Sequence, residues 1–138
     1  FIIYGPGVLD QSRVVEKPAS LVDLVPTALG IAGLPYENRT LGRDLLSWDK
    51  PSYALSFGGG RHSNPTLGLL GSDYYFRMLH DGSNAGLYPL VDASRDNEVT
   101  ARKPEVAADR RDMLRGLYQT ARYMMFNNQK GTAESDED

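Results

Sequence analysis

Arg61 and His62 are the two side chains in this sequence best suited to chemistry on a bound group. They follow Gly58-Gly59-Gly60, in a stretch whose glycines leave the backbone free to bring them to a ligand. An arginine offers a planar fork to a pair of anionic oxygens, and a histidine can donate beside it. The plainer reading, and the favoured one, is a surface loop that happens to carry polar residues. His80 lies among Asp81, Gly82, Ser83 and Asn84, a turn composition that gives it an exposed position and no further role. Glu16 and Asp23 are carboxylates of the type that hold metals, but neither has the partners a site requires. Asp23 stands three residues after Ser20, where a helix-capping box places its acid. Asn38-Arg39-Thr40 matches the glycosylation pattern, which is short enough to arise by accident. The three glycines lack the Lys-Ser/Thr of a phosphate loop and read as a hinge or turn. There is no cysteine, so disulfides, thiolate metal sites and cysteine nucleophiles are excluded.

The elements that must carry these residues follow from the pattern of apolar positions. Phe1-Ile2-Ile3-Tyr4 is an unalternating apolar run, suited to a strand buried on both faces of a parallel sheet. It has no polar leader and reads as cut from a larger domain. Ser20 opens a helix, with Pro26 tightening its early turns and Gly33 ending it in a left-handed conformation. Leu21, Leu24, Val25, Ala28, Leu29 and Ala32 recur at helical spacing and predict its buried stripe. Beyond residue 51 the period changes to that of strands, at 53–57, 66–70, 74–79 and, around Pro89, 87–91. Short turns between them predict an antiparallel meander. Pro104 starts a long helix whose inner face is predicted from Val106, Met113, Leu114, Leu117, Tyr118, Ala121, Met124 and Met125. The Met124-Met125 and Tyr118-Tyr123 cluster reads as packing against the meander and not as a binding groove. Residues 131–138 are predicted to be a disordered acidic tail.

With 138 residues the chain can bury one modest core. Hydrophobic residues at 41% and charged residues at 24% place it among ordinary globular sequences. A net charge of -3 gives no argument for nucleic acid as a partner.

Three segments in order carry a resemblance: Pro6-Gly7 after the first apolar run, the helix from Ser20 to Gly33, and Gly42-Arg43-Asp44-Leu45-Leu46. Together they resemble the late part of the catalytic domain of sulfatases, members of the alkaline phosphatase superfamily. Residues 68–92, with Leu87-Tyr88-Pro89-Leu90, are similar to the small C-terminal sheet of that family. Leu117-Tyr118-Gln119-Thr120-Ala121 looks most like the branch of lipoteichoic acid synthases and phosphoglycerol transferases.

The resemblance implies an α/β fold: a strand-helix-loop remnant of the main sulfatase domain at 1–50, and an antiparallel sheet packed on a long helix at 51–130. It implies a parent enzyme that hydrolyses or transfers sulfate or phosphate esters, through a nucleophile activated by a divalent metal ion. It further implies an extracytoplasmic setting, with membrane anchors upstream if the synthase-like branch applies. The chain has no Cys-x-Pro-x-Arg motif and no histidine before residue 62, so no catalytic residue, metal ligand or cofactor is carried over to it. The expected partner is the N-terminal catalytic part of the same polypeptide, with a homodimer through the residue 1–4 edge as a further possibility. The alternative is a non-catalytic anion-binding or assembly module, in which Arg61 and His62 hold the anion.

Overall fold

A computed structural model of the chain describes residues 2–5, 7, 11–58, 64–91 and 96–127. Ser20 has extended backbone and is followed by a single 3-10 turn, Leu21–Asp23, that runs directly into helix α1, Leu24–Ala32. The tight opening turn has a simple cause. Pro26 lacks an N–H, so regular α-helical bonding cannot reach back through it to the preceding turn. Gly33 closes α1 at φ 63°, and the amides of Gly33 and Leu34 bond back to Gly30 and Leu29. That left-handed closure is the one a glycine makes at least cost.

Four strands follow: β1 (Ala54–Gly58), β2 (Thr66–Leu70), β3 (Tyr74–Leu79) and β4 (Gly86–Pro89). Each pairs antiparallel with the next, in the order β1-β2-β3-β4. The links match the turn chemistry of the sequence. Gly71 donates to the Tyr74 carbonyl, and at the next turn Gly82 and Asn84 both take positive φ while Asp81 accepts from the Ser83 amide and hydroxyl. Pro89 is tolerated because β4 is an edge strand. Residues 97–100 cover that edge: Val99 donates to the Leu87 carbonyl, and the Leu87 amide is met by Glu98 and Thr100 side chains.

Helix α2, Pro104–Asn127, crosses β2 and β3. The register puts Leu69, Phe76 and Leu87 in one row and Leu67 and Met78 in the next, on the face that meets Ala107 and Leu114 of α2. These residues and Val99 form the core, and Phe76, Leu87 and Leu114 are fully buried. The mixed α/β architecture and the meander agree with the expectation from sequence. On α2 the predicted inner face holds through Met124, whereas Met125 is exposed along with Tyr123 and Phe126.

Two expectations are corrected. Residues 2–5 carry no strand, and Ile2 and Tyr4 are almost wholly exposed. An isolated strand cannot satisfy its backbone N–H and C=O groups, and the sheet of this chain begins at Ala54 without reaching that segment. The second correction is the orientation of α1. Its buried side chains are Pro26 and Thr27, with Asp23 just before it, while Leu21 and Val25 are 83% and 63% exposed. Leu24, Ala28 and Ala32 are exposed as well. Relative to the rest of this chain the helix turns its polar side inward.

Candidate functional site

That inversion is produced by a buried ion pair. Asp23 is completely buried and Arg43 is 5% exposed. The Asp23 Oδ1 atom accepts from the Arg43 amide at 2.8 Å and from Arg43 Nε at 3.1 Å. Its Oδ2 atom accepts from Arg43 Nη2 at 3.0 Å and from the Ser20 amide at 2.8 Å. One carboxylate therefore serves as the reciprocal arm of the helix cap and as the counter-ion of an arginine 20 residues on.

The neighbouring residues complete a latch. Thr27 Oγ1 donates to the Asp23 carbonyl at 2.6 Å and accepts from the Leu45 amide at 3.1 Å. Gly42 lies so close to the 3-10 turn before α1 that a Cβ there would stand 1.9 Å from the Val22 carbonyl oxygen. Asp44 accepts from the Leu46 amide and the Ser47 hydroxyl, which shapes the turn after it. Arg43 then reaches the sheet: Nη2 donates to the Tyr53 carbonyl, and the guanidinium carbon lies 4.3 Å from the centre of the Tyr53 ring. The latch thus joins the residues before α1 to the start of β1.

Its electrostatics follow from burial and hydrogen bonding. Burial is the largest influence on Asp23 and pushes its carboxyl up. The Arg43 side chain, the Ser20 and Arg43 amides and the Arg43 charge together outweigh it, so the pKa lies below the ordinary 3.8. The Asp23 carboxylate therefore stays ionised at neutral pH. It cannot act as a metal site, because both Asp23 oxygens are occupied by N–H donors of a cationic partner. Among the described residues no three His, Cys, Asp or Glu side chains gather in a way that could hold a metal ion. The divalent metal implied by the resemblance does not fit the groups seen here.

Arg61 and His62 lie outside the described residues, as do Gly59 and Gly60 and the tail at 131–138. His80 is exposed in its turn, edge-on to Tyr118 at 5.3 Å between ring centres. Glu16 is exposed and is not among the hydrogen-bond partners of Asp23. Asn38 uses its side chain to close a loop, accepting from the Thr40 amide and donating to the Gly42 carbonyl. The partnership of Asp23 with Arg43 is what sequence reasoning missed. Both residues stand in the recognised motifs, but no periodicity links positions 20 apart.

No helix among the described residues is long and apolar enough to cross a membrane. No family model matches the chain, and no solved structure matches it. Among curated proteins it is similar to arylsulfatase K of Danio rerio, with 28% identity over 130 residues, covering 84% of this chain and 25% of that protein. It is similar also to arylsulfatase K of Bos taurus, with 27% identity over 133 residues, covering 84% of this chain and 24% of that protein. The chain spans about a quarter of the length of these curated relatives. The latch is built from two of the three segments that carry the resemblance, Ser20 to Gly33 and Gly42 to Leu46, and the two relatives support a sulfatase-family origin for this chain.

Proposed function

We propose that this chain is the C-terminal portion of an extracytoplasmic sulfatase-family enzyme acting on sulfate esters, and that the portion itself is structural. It carries neither the nucleophile nor the metal ligands of the reaction, and it braces the part that does. Both relatives bear the name arylsulfatase, which favours sulfate over phosphate esters and hydrolysis over phosphoglycerol transfer.

The observation that carries this reading is the outward stripe of α1. Leu21, Leu24, Val25 and Ala28 face away from the rest of the chain because the latch holds the other side of the helix. Burying a leucine or valine side chain stabilises by about 1.5–3 kcal/mol, and here that gain is not taken. An apolar stripe of this kind is what a helix presents to a larger apolar surface. The occupant is the remaining part of the enzyme, to which the other three quarters of the relatives' length correspond. The divalent metal belongs to that part too.

The test is to express the 138-residue chain alone and within the longest polypeptide its gene encodes. Each is assayed with p-nitrophenyl sulfate, p-nitrophenyl phosphate and bis-p-nitrophenyl phosphate, with and without divalent metal. The expected result is sulfate-ester turnover by the longer protein only. Turnover by the chain alone would overturn the structural role, and diester turnover by the longer protein would favour the phosphoglycerol-transferase-like branch.

A further inference from the structure

The face of the sheet turned away from α2 carries an arginine, Arg77, with no counter-ion among the described residues. By register, Ala54, Leu70, Tyr75 and Tyr88 form one row across the four strands, and Ser56, Gly68, Arg77 and Gly86 form the next. The second row is a trough with glycine on either side of Arg77. Both glycines are roofed by tyrosine: a Cβ on Gly68 would stand 2.5 Å from the Tyr75 hydroxyl, and one on Gly86 would stand 2.7 Å from the Tyr88 hydroxyl. The two rings therefore lie along the sheet, with centres 6.5 Å apart and planes inclined by 34°.

Arg77 sits against this pavement. Its guanidinium carbon is 5.3 Å from the centre of the Tyr88 ring, and its Nη2 donates to the Tyr88 hydroxyl at 3.1 Å. Its Nε is buried without a partner, and no carboxylate pairs with it among the described residues. Because the Tyr88 oxygen accepts from Arg77, its own proton is left to donate. Ser56 and Tyr75 place two further hydroxyls 3.5 Å apart on the same face.

A guanidinium that pairs with no carboxylate among the described residues, flanked by hydroxyls and lying beside two ring faces, complements an anion carried on a ring. We propose that this face binds a ring-borne sulfate ester, with the sulfate on Arg77 and the ring stacked on Tyr75 and Tyr88. The choice of sulfate rests on the function proposed above. The ring can be aromatic or a sugar, since both present a face that stacks on tyrosine.

The test is a titration of the isotopically labelled chain followed by nuclear magnetic resonance. The readouts are the Arg77 Nε–H signal and the ring signals of Tyr75 and Tyr88. The probes are phenyl sulfate, glucose 6-sulfate, inorganic sulfate and phenyl phosphate. Saturable shifts with phenyl sulfate or glucose 6-sulfate are expected, the stronger of the two identifying the ring. Arg77→Gln is expected to weaken that binding at least tenfold, with core signals such as Phe76 unmoved. Tyr88→Leu, which removes a ring face and keeps the charge, is expected to weaken both esters more than inorganic sulfate. The proposal is overturned if neither ester gives a saturable shift, if inorganic sulfate binds as tightly as the esters, or if a folded Arg77→Gln chain binds unchanged. Binding of phenyl phosphate without phenyl sulfate would overturn the sulfate class here. Saturable phenyl sulfate binding beside a failed turnover assay would support this site and overturn only the parent reading.

Discussion

Replacing Asp23 by alanine is expected to be among the most damaging single changes in this chain, and the latch geometry says by how much. The substitution leaves the Arg43 guanidinium, 5% exposed, without its counter-ion, and strips acceptors from the Ser20 and Arg43 amides. Breaking a buried pair by removing one partner costs about 3–5 kcal/mol, a large share of the roughly 5–15 kcal/mol that holds a domain folded. Orphaned amides cost about 1–3 kcal/mol each, but here they overlap with the same loss and do not simply add. Arg43→Met in the same background removes the stranded charge, so the double variant is expected to recover part of the loss. The assay is urea unfolding of the four proteins in a double-mutant cycle, with an expected coupling of about 2–3 kcal/mol at pH 7. The pH dependence has a definite sign. Asp23 has a lowered pKa when folded, so its contribution is complete above the unfolded value of 3.8 and is lost as pH falls through the folded one. A coupling below about 0.5 kcal/mol at pH 7 would refute the claim that this pair organises the first half of the chain.

Four other changes test neighbouring parts of the structure. Gly42→Ala is expected to destabilise by about 1–3 kcal/mol or more in urea unfolding, because the new methyl meets the Val22 carbonyl and not a movable side chain. On α1, Val25→Lys is expected to change the stability of the isolated chain by no more than about 0.5 kcal/mol, whereas Thr27→Val strands the Leu45 amide and costs about 1–3 kcal/mol. In the longer polypeptide the same Val25→Lys change is expected to lower thermal stability and activity together. Leu114→Ala opens a cavity between α2 and the sheet and is expected to cost about 2–5 kcal/mol, read as a drop in melting temperature.

Local rules read from the sequence account for most of the second half of the chain. Alternation and turn residues placed β2 and β3 at their observed limits, and β1 and β4 within one or two residues. The meander follows because consecutive strands with short turns have no other economical pairing. Ser20, Gly33 and Pro104 marked helix ends because capping and left-handed closure are matters of a few adjacent residues.

Tertiary structure decided which side of α1 faces inward. The apolar stripe of Leu21, Leu24 and Val25 is plain in the sequence, yet a periodicity names a face without naming what it meets. In this chain Asp23 and Thr27 are claimed by Arg43 and the Leu45 amide, and the close approach at Gly42 leaves room for no other arrangement. The isolated carboxylate of the sequence became half of a buried pair. The tyrosine pavement around Arg77 arose the same way, from strand register and two glycines on neighbouring strands. Both sites depend on residues distant along the chain, and only the paths of the intervening backbone determine whether such residues meet.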